Sequence, residues 1–310
     1  MKKVIIDVDT GVDDALAILY ATQSEQLDIL GITTVCGNVP LDQVNINTNR
    51  MLKLLGIENK INVYKGASRP LLREPFHEFR VHGEDGIGGA LDHIDTVIQE
   101  NNIFAADFII EQAEKYKGEL TLIMVAPLTN LALALRKEPR LAEWVKDVVI
   151  MGGIVQSSGR GNTLPTSEFN IYGDPESAKI VFHSGMDITL VSLDVTRQVM
   201  LSEEHINGLK GTKYYEFVKN STGVYREFSL DLYGVNACAL HDPLAVAVAL
   251  DKSLVKTEKY YVDVETKSDL SYGQTICDFR NLLKKEPNVN ICVDVDHERF
   301  LERFIEYLKK

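Results

Sequence analysis

The chain has 310 residues, 45% hydrophobic and 25% charged, enough to bury roughly three quarters of its unfolded surface in one large domain or two modest ones. Its net charge of −12 argues against a general nucleic-acid or anionic-membrane binder, while leaving small nucleotide-like ligands open. Cys36, Cys238, Cys277 and Cys292 lie far apart with no C-x-x-C pair, so they read as free structural thiols of a reducing compartment rather than a zinc site. Met1-Lys2-Lys3 runs straight into an apolar run, with no room for a signal peptide, and no later run is long enough to span a bilayer; the expected location is cytoplasmic.

Val4 to Val8 is a β-branched run that reads as a buried strand. It turns at Gly11 into a helix beginning near Asp13, with Ala15 to Gln23 helical and Leu27 to Val35 returning as a strand. Asp42 to Leu55 has helical spacing and stops at Gly56, before a short strand at Ile61 to Tyr64. Phe104 to Tyr116 carries an apolar stripe at helical spacing; Leu120 to Ala126 and Val148 to Met151 read as buried strands. Asp174-Pro175-Glu176 is a helix start, and Ile188 to Val195 is again strand. A polar-faced helical region, Lys213 to Leu232, precedes a second Asp-Pro start at Asp242-Pro243. Strand candidates follow at Lys259 to Val264, Gln274 to Phe279 and Val289 to Val295, with a closing helix. Such alternation predicts an α/β fold: a mainly parallel, Rossmann-like open sheet with helices on both faces. Without linker, repeat or low-complexity tract, residues 1–310 read as a single domain. Two long loops, Gly66 to Thr96 and Gly152 to Tyr172, exceed the usual connection length and are expected to carry or cover a site.

The chemistry concentrates at the start. Asp7, Asp9, Asp13 and Asp14 fall within eight residues, at the carboxyl end of a strand and the beginning of a helix. That sheet edge is where open α/β sheets bind ligands. Carboxylates so close repel one another unless a cation sits among them, and a hard divalent ion, Ca²⁺ or Mg²⁺, suits oxygen ligands. Leu128-Thr129-Asn130 opens a helix, with Asn130 either a cap or a neighbour of a strand-end carbonyl, at Val125 or Ala126, that faces the same edge. Gly37-Asn38 reads as a turn. In the second long loop, alternation places Glu168 and Asn170 on one side and Phe169 on the other; with Asn162 they suit the adjacent hydroxyls of a sugar. His241-Asp242 supplies another carboxylate and a group that titrates near neutrality. His82, in Val81-His82-Gly83, lies in the first long loop.

Together these residues resemble the inosine–uridine nucleoside hydrolase family over nearly the whole chain. The motifs are D-x-D-x-G-x-D-D-A from Asp7, then Gly37-Asn38, His82-Gly83, Leu128-Thr129-Asn130, Glu168-Phe169-Asn170 and His241-Asp242. The resemblance implies an α/β enzyme that uses one Ca²⁺ to hydrolyse the N-glycosidic bond of ribonucleosides, inosine, uridine or similar, for nucleoside salvage. By position, Asp9, Asp14 and Asp242 would be side-chain metal ligands and Val125 would donate its backbone carbonyl. Asp9 would also deprotonate the water that attacks C1′. Asp13, Asn38, Asn162, Glu168 and Asn170 would hold the ribose; His82 is placed with them as substrate-binding. His241 would be the leaving-group acid, with Tyr225 and Tyr233 in a segment able to lid the site. Asp7 would orient the loop. Many relatives carry Pro before the glycine of the opening motif, where this chain has Thr10. The family forms dimers or tetramers, so a homodimer or homotetramer is expected. The rival enzyme is a haloacid dehalogenase-type Mg²⁺ phosphatase, whose D-x-D-x-T motif Asp7-Val8-Asp9-Thr10 also fits.

Overall fold

A computed structural model describes residues 1–98, 101–156 and 160–310, so part of the second long loop lies outside the described residues. Its strands are β1 (Lys2–Val8), β2 (Leu27–Thr34), β3 (Val63–Lys65), β4 (Thr121–Met124), β5 (Asp147–Met151), β6 (Ile188–Val191), β7 (Met200–Ser202), β8 (Ala237–Ala239), β9 (Val255–Tyr260), β10 (Val262–Val264), β11 (Thr275–Cys277) and β12 (Val289–Val295). One eight-stranded sheet runs β3-β2-β1-β4-β5-β6-β12-β9. Its neighbours pair in parallel, save β12 with β9, which is antiparallel. The fold is α/β, as the alternation predicts.

β1 shows why both faces are covered. Val4, Ile6 and Val8 belong to one apolar cluster and Ile5 to another, and all four are fully buried. Successive strand side chains point to opposite faces, so a continuous apolar run needs a layer on each side. Helices Val12–Thr22 and His241–Leu250 cover the first face; Ala105–Lys115, Thr129–Lys137 and Pro175–Phe182 cover the second. Helix Val12–Thr22 is buried on every side from Val12 to Ala21 and packs against His241–Leu250.

The chain runs outward from β1 through β2 to β3, returns to β4 beside β1, and runs the other way through β5 and β6. Strand order therefore reverses between β1 and β4. The carboxyl ends of these two strands frame a ligand crevice.

Several boundaries differ from expectation, each for a local reason. The strand expected over Ile188 to Val195 ends at Val191, because the Val195 and Thr196 N–H groups both turn back onto the Ser192 carbonyl in the helical turn Leu193–Thr196. Lys259 to Val264 divides between two sheets: through Tyr260 it pairs with β12, and from Val262 with β11. Gln274 to Phe279 shortens to β11, and the Lys213 to Leu232 helix spans Tyr215–Tyr233. The antiparallel pair β7 and β8, joining Met200 to Ala239, was not foreshadowed by any period. All four cysteines are free. Among the described residues, no helix is long and apolar enough to cross a membrane.

Candidate active site

β1 delivers the first carboxylates to the crevice. Beyond Val8 the backbone passes through Asp9 and Thr10 to Gly11, which caps helix Val12–Thr22. Asp14 folds back over that cap, its Oδ1 accepting from the Asp9 N–H at 3.1 Å and its Oδ2 from the Gly11 N–H at 2.9 Å. A carboxylate there meets otherwise unpaired N–H groups and the positive end of the helix dipole. The turn after β2 closes on the same point: the Asn38 N–H donates to Asp9 Oδ2 at 2.7 Å and Asn38 Nδ2 to Asp14 Oδ2 at 3.1 Å. Gly37 is a steric necessity, since a Cβ there would overlap the Asp9 carboxylate.

Helix His241–Leu250 begins at the same edge and brings in Asp242. One carboxylate oxygen from each of Asp13, Asp14 and Asp242 lies within 4.8 Å of the other two. Burial, then the neighbouring Asp14 charge, pushes Asp13 up to about 8. Burial pushes Asp14 up to about 6. Asp9 and Asp242 are driven well above the usual carboxylate range by burial first and adjacent acids second. Burial of this kind favours the protonated acid, most strongly at Asp9, Asp13 and Asp242, unless a cation takes the proton's place. Asp9 Oδ1 is buried with no hydrogen-bond partner. The oxygens of Asp13, Asp14 and Asp242 form a hard donor set that fits a hard divalent cation; Asp9 lies outside that set, against Asp14.

Asp7 is engaged elsewhere. Its Oδ1 accepts from Thr33 Oγ1 and from Asn130 Nδ2 at 2.8 Å, inside the sheet, where burial raises it to about 7. Asn130 is not the helix cap: it also donates to the Thr34 carbonyl and accepts from the Ala67 N–H, bracing the loops around β1, while Leu128 occupies the cap.

Beside the acids opens a cavity of about 610 Å³, lined by Asp13, Asn38, His82, Val125, Asn162, Glu168, Asn170, His241 and Asp242. Asp9 and Asp14, each with no exposed surface, lie behind Asn38. Val125 follows β4, and its carbonyl accepts from Asn170 Nδ2 at 3.1 Å, leaving a second lone pair. Glu168 and Asn170 do converge on the cavity, but not by alternation. Glu168 caps the helical turn Phe169–Gly173, its carboxylate accepting from the N–H groups of Gly153, Asn170 and Ile171. Asn162 Oδ1 accepts from the Phe169 N–H at 2.9 Å.

Two histidines line the cavity in neutral form. His82 Nδ1 accepts from the Val12 N–H at 3.1 Å, which places its proton on Nε2. Burial lowers His82 to about 3; burial, then Arg197, does the same to His241. His241 Nε2 meets the Tyr225 hydroxyl at 2.9 Å and its Nδ1 meets Thr196 Oγ1 at 2.7 Å. Tyr225 and Tyr233 both line the cavity, with Phe228 between them. Residues that the sequence did not flag include Thr196, Glu78, Arg197 and Met200; each is a single side chain in no recognisable spacing. The floor of acids and amides matches a polyhydroxylated ring, and the aromatic wall matches a flat one.

Comparison with known proteins identifies the family. The model of the family "inosine-uridine preferring nucleoside hydrolase" matches residues 4–302. The pyrimidine-specific ribonucleoside hydrolase RihB of Escherichia coli is 33% identical over 301 residues, covering 96% of this chain and 94% of that protein. A plant nucleoside hydrolase superposes with a TM-score of 0.92 at 34% identity, covering 99% of both chains. The purine-preferring ribonucleoside hydrolase from Gardnerella vaginalis superposes with a TM-score of 0.89 at 35% identity, covering 99% of this chain and 98% of that one.

Proposed function

Because this chain belongs to the inosine-uridine preferring nucleoside hydrolase family, and so is a hydrolase of N-glycosidic bonds in ribonucleosides, we propose the following division of labour among its residues. The observation that carries it is the buried carboxylate group at the cavity, with Asp9 Oδ1 unpartnered. Asp9, Asp14, Asp242 and the Val125 carbonyl would hold Ca²⁺, beside Asp13, whose carboxylate shares the cluster with Asp14 and Asp242. A bound divalent cation supplies acidification and orientation of water. Asp9 takes the proton of the water that attacks C1′. Asp13, Asn38, Asn162, Glu168 and Asn170 face the ribose hydroxyls, and their negative charge favours the oxocarbenium-like state that develops as the bond breaks. His82 presents Nε2–H as a donor to bound substrate. His241 gives the departing base its proton.

The substrate is inosine, uridine or a close analogue. Similar proteins are named both pyrimidine-specific and purine-preferring, so base preference belongs to the cavity wall rather than to the family. We assign the enzyme to nucleoside salvage in the cytoplasm, as a homodimer or homotetramer. The phosphatase reading of Asp7-Val8-Asp9-Thr10 has lost its ground, since Asp7 is bonded within the sheet and the family match spans the chain.

The test is release of free ribose from inosine and from uridine, before and after thorough removal of metal by a chelator. Ribose release that falls on chelation and returns with Ca²⁺ is expected. Release that ignores the chelator would remove the cation from the reading.

A further inference from the structure

Both ring nitrogens of His241 are occupied, Nε2 by the Tyr225 hydroxyl and Nδ1 by Thr196 Oγ1 at 2.7 Å. Thr196 is fully buried at the end of the helical turn Leu193–Thr196. That turn is fastened to the loop after β5: the Leu193 N–H donates to the Gly153 carbonyl, and the Asp194 carboxylate accepts from the N–H groups of Val155 and Gln156. The turn leads into β7, whose ladder pairs Met200 with Ala239, and the Leu240 N–H donates to the Val199 carbonyl. Two short segments thus fix Thr196 against His241, although 45 residues separate them.

We propose that Thr196 is a positioning residue for His241: its hydroxyl oxygen accepts the Nδ1 proton, leaving Nε2, which faces Tyr225, as the nitrogen that exchanges a proton with the leaving base. The inference rests on the reading of His241 as the leaving-group acid. A neutral imidazole carries one N–H, so fixing it at Nδ1 decides which nitrogen is the exchanging one, the service an orienting partner gives a catalytic histidine. In the resting enzyme Nε2 accepts from the Tyr225 hydroxyl. In the reaction Nε2 takes up the Tyr225 hydroxyl proton and hands it to a nitrogen of the base as the C1′–N bond breaks and its electron pair goes to the base, and Tyr225 regains a proton from solvent. The Nδ1 proton stays on the ring throughout, donated in a hydrogen bond to Thr196 Oγ1. A hydroxyl orients the ring without adding another anion to a cavity already crowded with acids.

The experiment compares Thr196→Val, Thr196→Ser and His241→Ala on two substrates: whichever of inosine and uridine turns over faster, and p-nitrophenyl riboside, whose leaving group needs no proton. Thr196→Val is expected to lower kcat on the nucleoside about 10–100-fold with KM within about twofold, a part of what a general acid contributes. p-Nitrophenyl riboside should change less than about threefold, and Thr196→Ser should restore nucleoside turnover, as general-acid loss shows only where the leaving group needs the proton. Ring ¹⁵N NMR of the wild-type protein should show His241 protonated at Nδ1; protonation at Nε2 overturns the proposal without any variant. Equal losses on both substrates, unchanged nucleoside turnover, or a serine variant as slow as the valine one also overturn it. If His241→Ala itself slows both substrates equally, the acid reading falls. If that variant is selective and Thr196→Val is not, only the role of Thr196 falls.

Discussion

Asp9 and Asp14 are adjacent carboxylates with different commitments. Asp14 spends its oxygens on the Asp9, Gly11 and Asn38 N–H groups, whereas Asp9 receives only the Asn38 N–H on Oδ2 and keeps Oδ1 free of protein partners. The free oxygen belongs to the residue assigned as base. Asp9→Asn keeps the shape and the Asn38 contact but cannot take up a proton, so ribose release should fall by about 10²–10⁴-fold or more. Burial and neighbouring acids make an ionised Asp9 costly, so the metal-free variant should melt no lower than the wild type. A melting temperature that drops in step with activity would make the loss structural. His241→Ala separates from this by its substrate dependence: inosine turnover should fall about 10²-fold or more while p-nitrophenyl riboside is nearly spared. Parallel rates on the two substrates would end the acid assignment.

At the scale of elements, the site is a meeting of chain ends. The N-termini of helices Val12–Thr22 and His241–Leu250 bring Asp13, Asp14 and Asp242 together, and the turn after β2 seals the group. Gly37→Ala tests that seal. The added methyl overlaps the Asp9 carboxylate and must displace it, so the variant should lose most of its turnover. It should also lose about 1–3 kcal/mol of stability, the usual cost of overpacking, seen in a denaturant midpoint. Full activity would mean that the turn relaxes freely and Asp9 needs no fixed seat. The same geometry explains what the sequence made legible. Asp9, Asp13 and Asp14 stand within one strand–turn–helix, where local spacing dictates position, and Asp242 announces itself as a helix start. That Glu168 and Asn170 face one cavity was legible, but not their conformation, because capping by Glu168 replaced the extended backbone that alternation implied. Thr196 and Tyr225 were not readable as partners of His241. Their meeting depends on the three-residue pairing of β7 with β8 and on helix Tyr215–Tyr233, contacts that leave no period in the chain.

For the whole molecule, the buried acids and histidines pull stability in opposite directions with pH, and one window separates them. His82 and His241, lowered to about 3, stay neutral in the fold but accept protons when unfolded below about 6.5, so they cost stability only on the acid side of that value. The acids act the other way. Asp13, raised to about 8, holds a proton in the fold that the unfolded chain has already released, and Asp9 and Asp242 are raised in the same sense. Between pH 6.5 and 8, then, the metal-free folded state binds more protons than the unfolded one, and its stability should fall as pH rises. Calcium bound as proposed would reverse this, because a divalent cation takes the place of those protons and is bound more tightly as they leave. At fixed excess Ca²⁺ the gain in melting temperature over the chelated protein should therefore be larger at pH 8 than at pH 6.5, and titration with calcium should release protons. A chelated protein whose midpoint is flat or rises across this window, or a calcium gain equal at both pH values, would mean that these carboxylates are ionised without a cation. The acidic group would then lose its standing as a metal site.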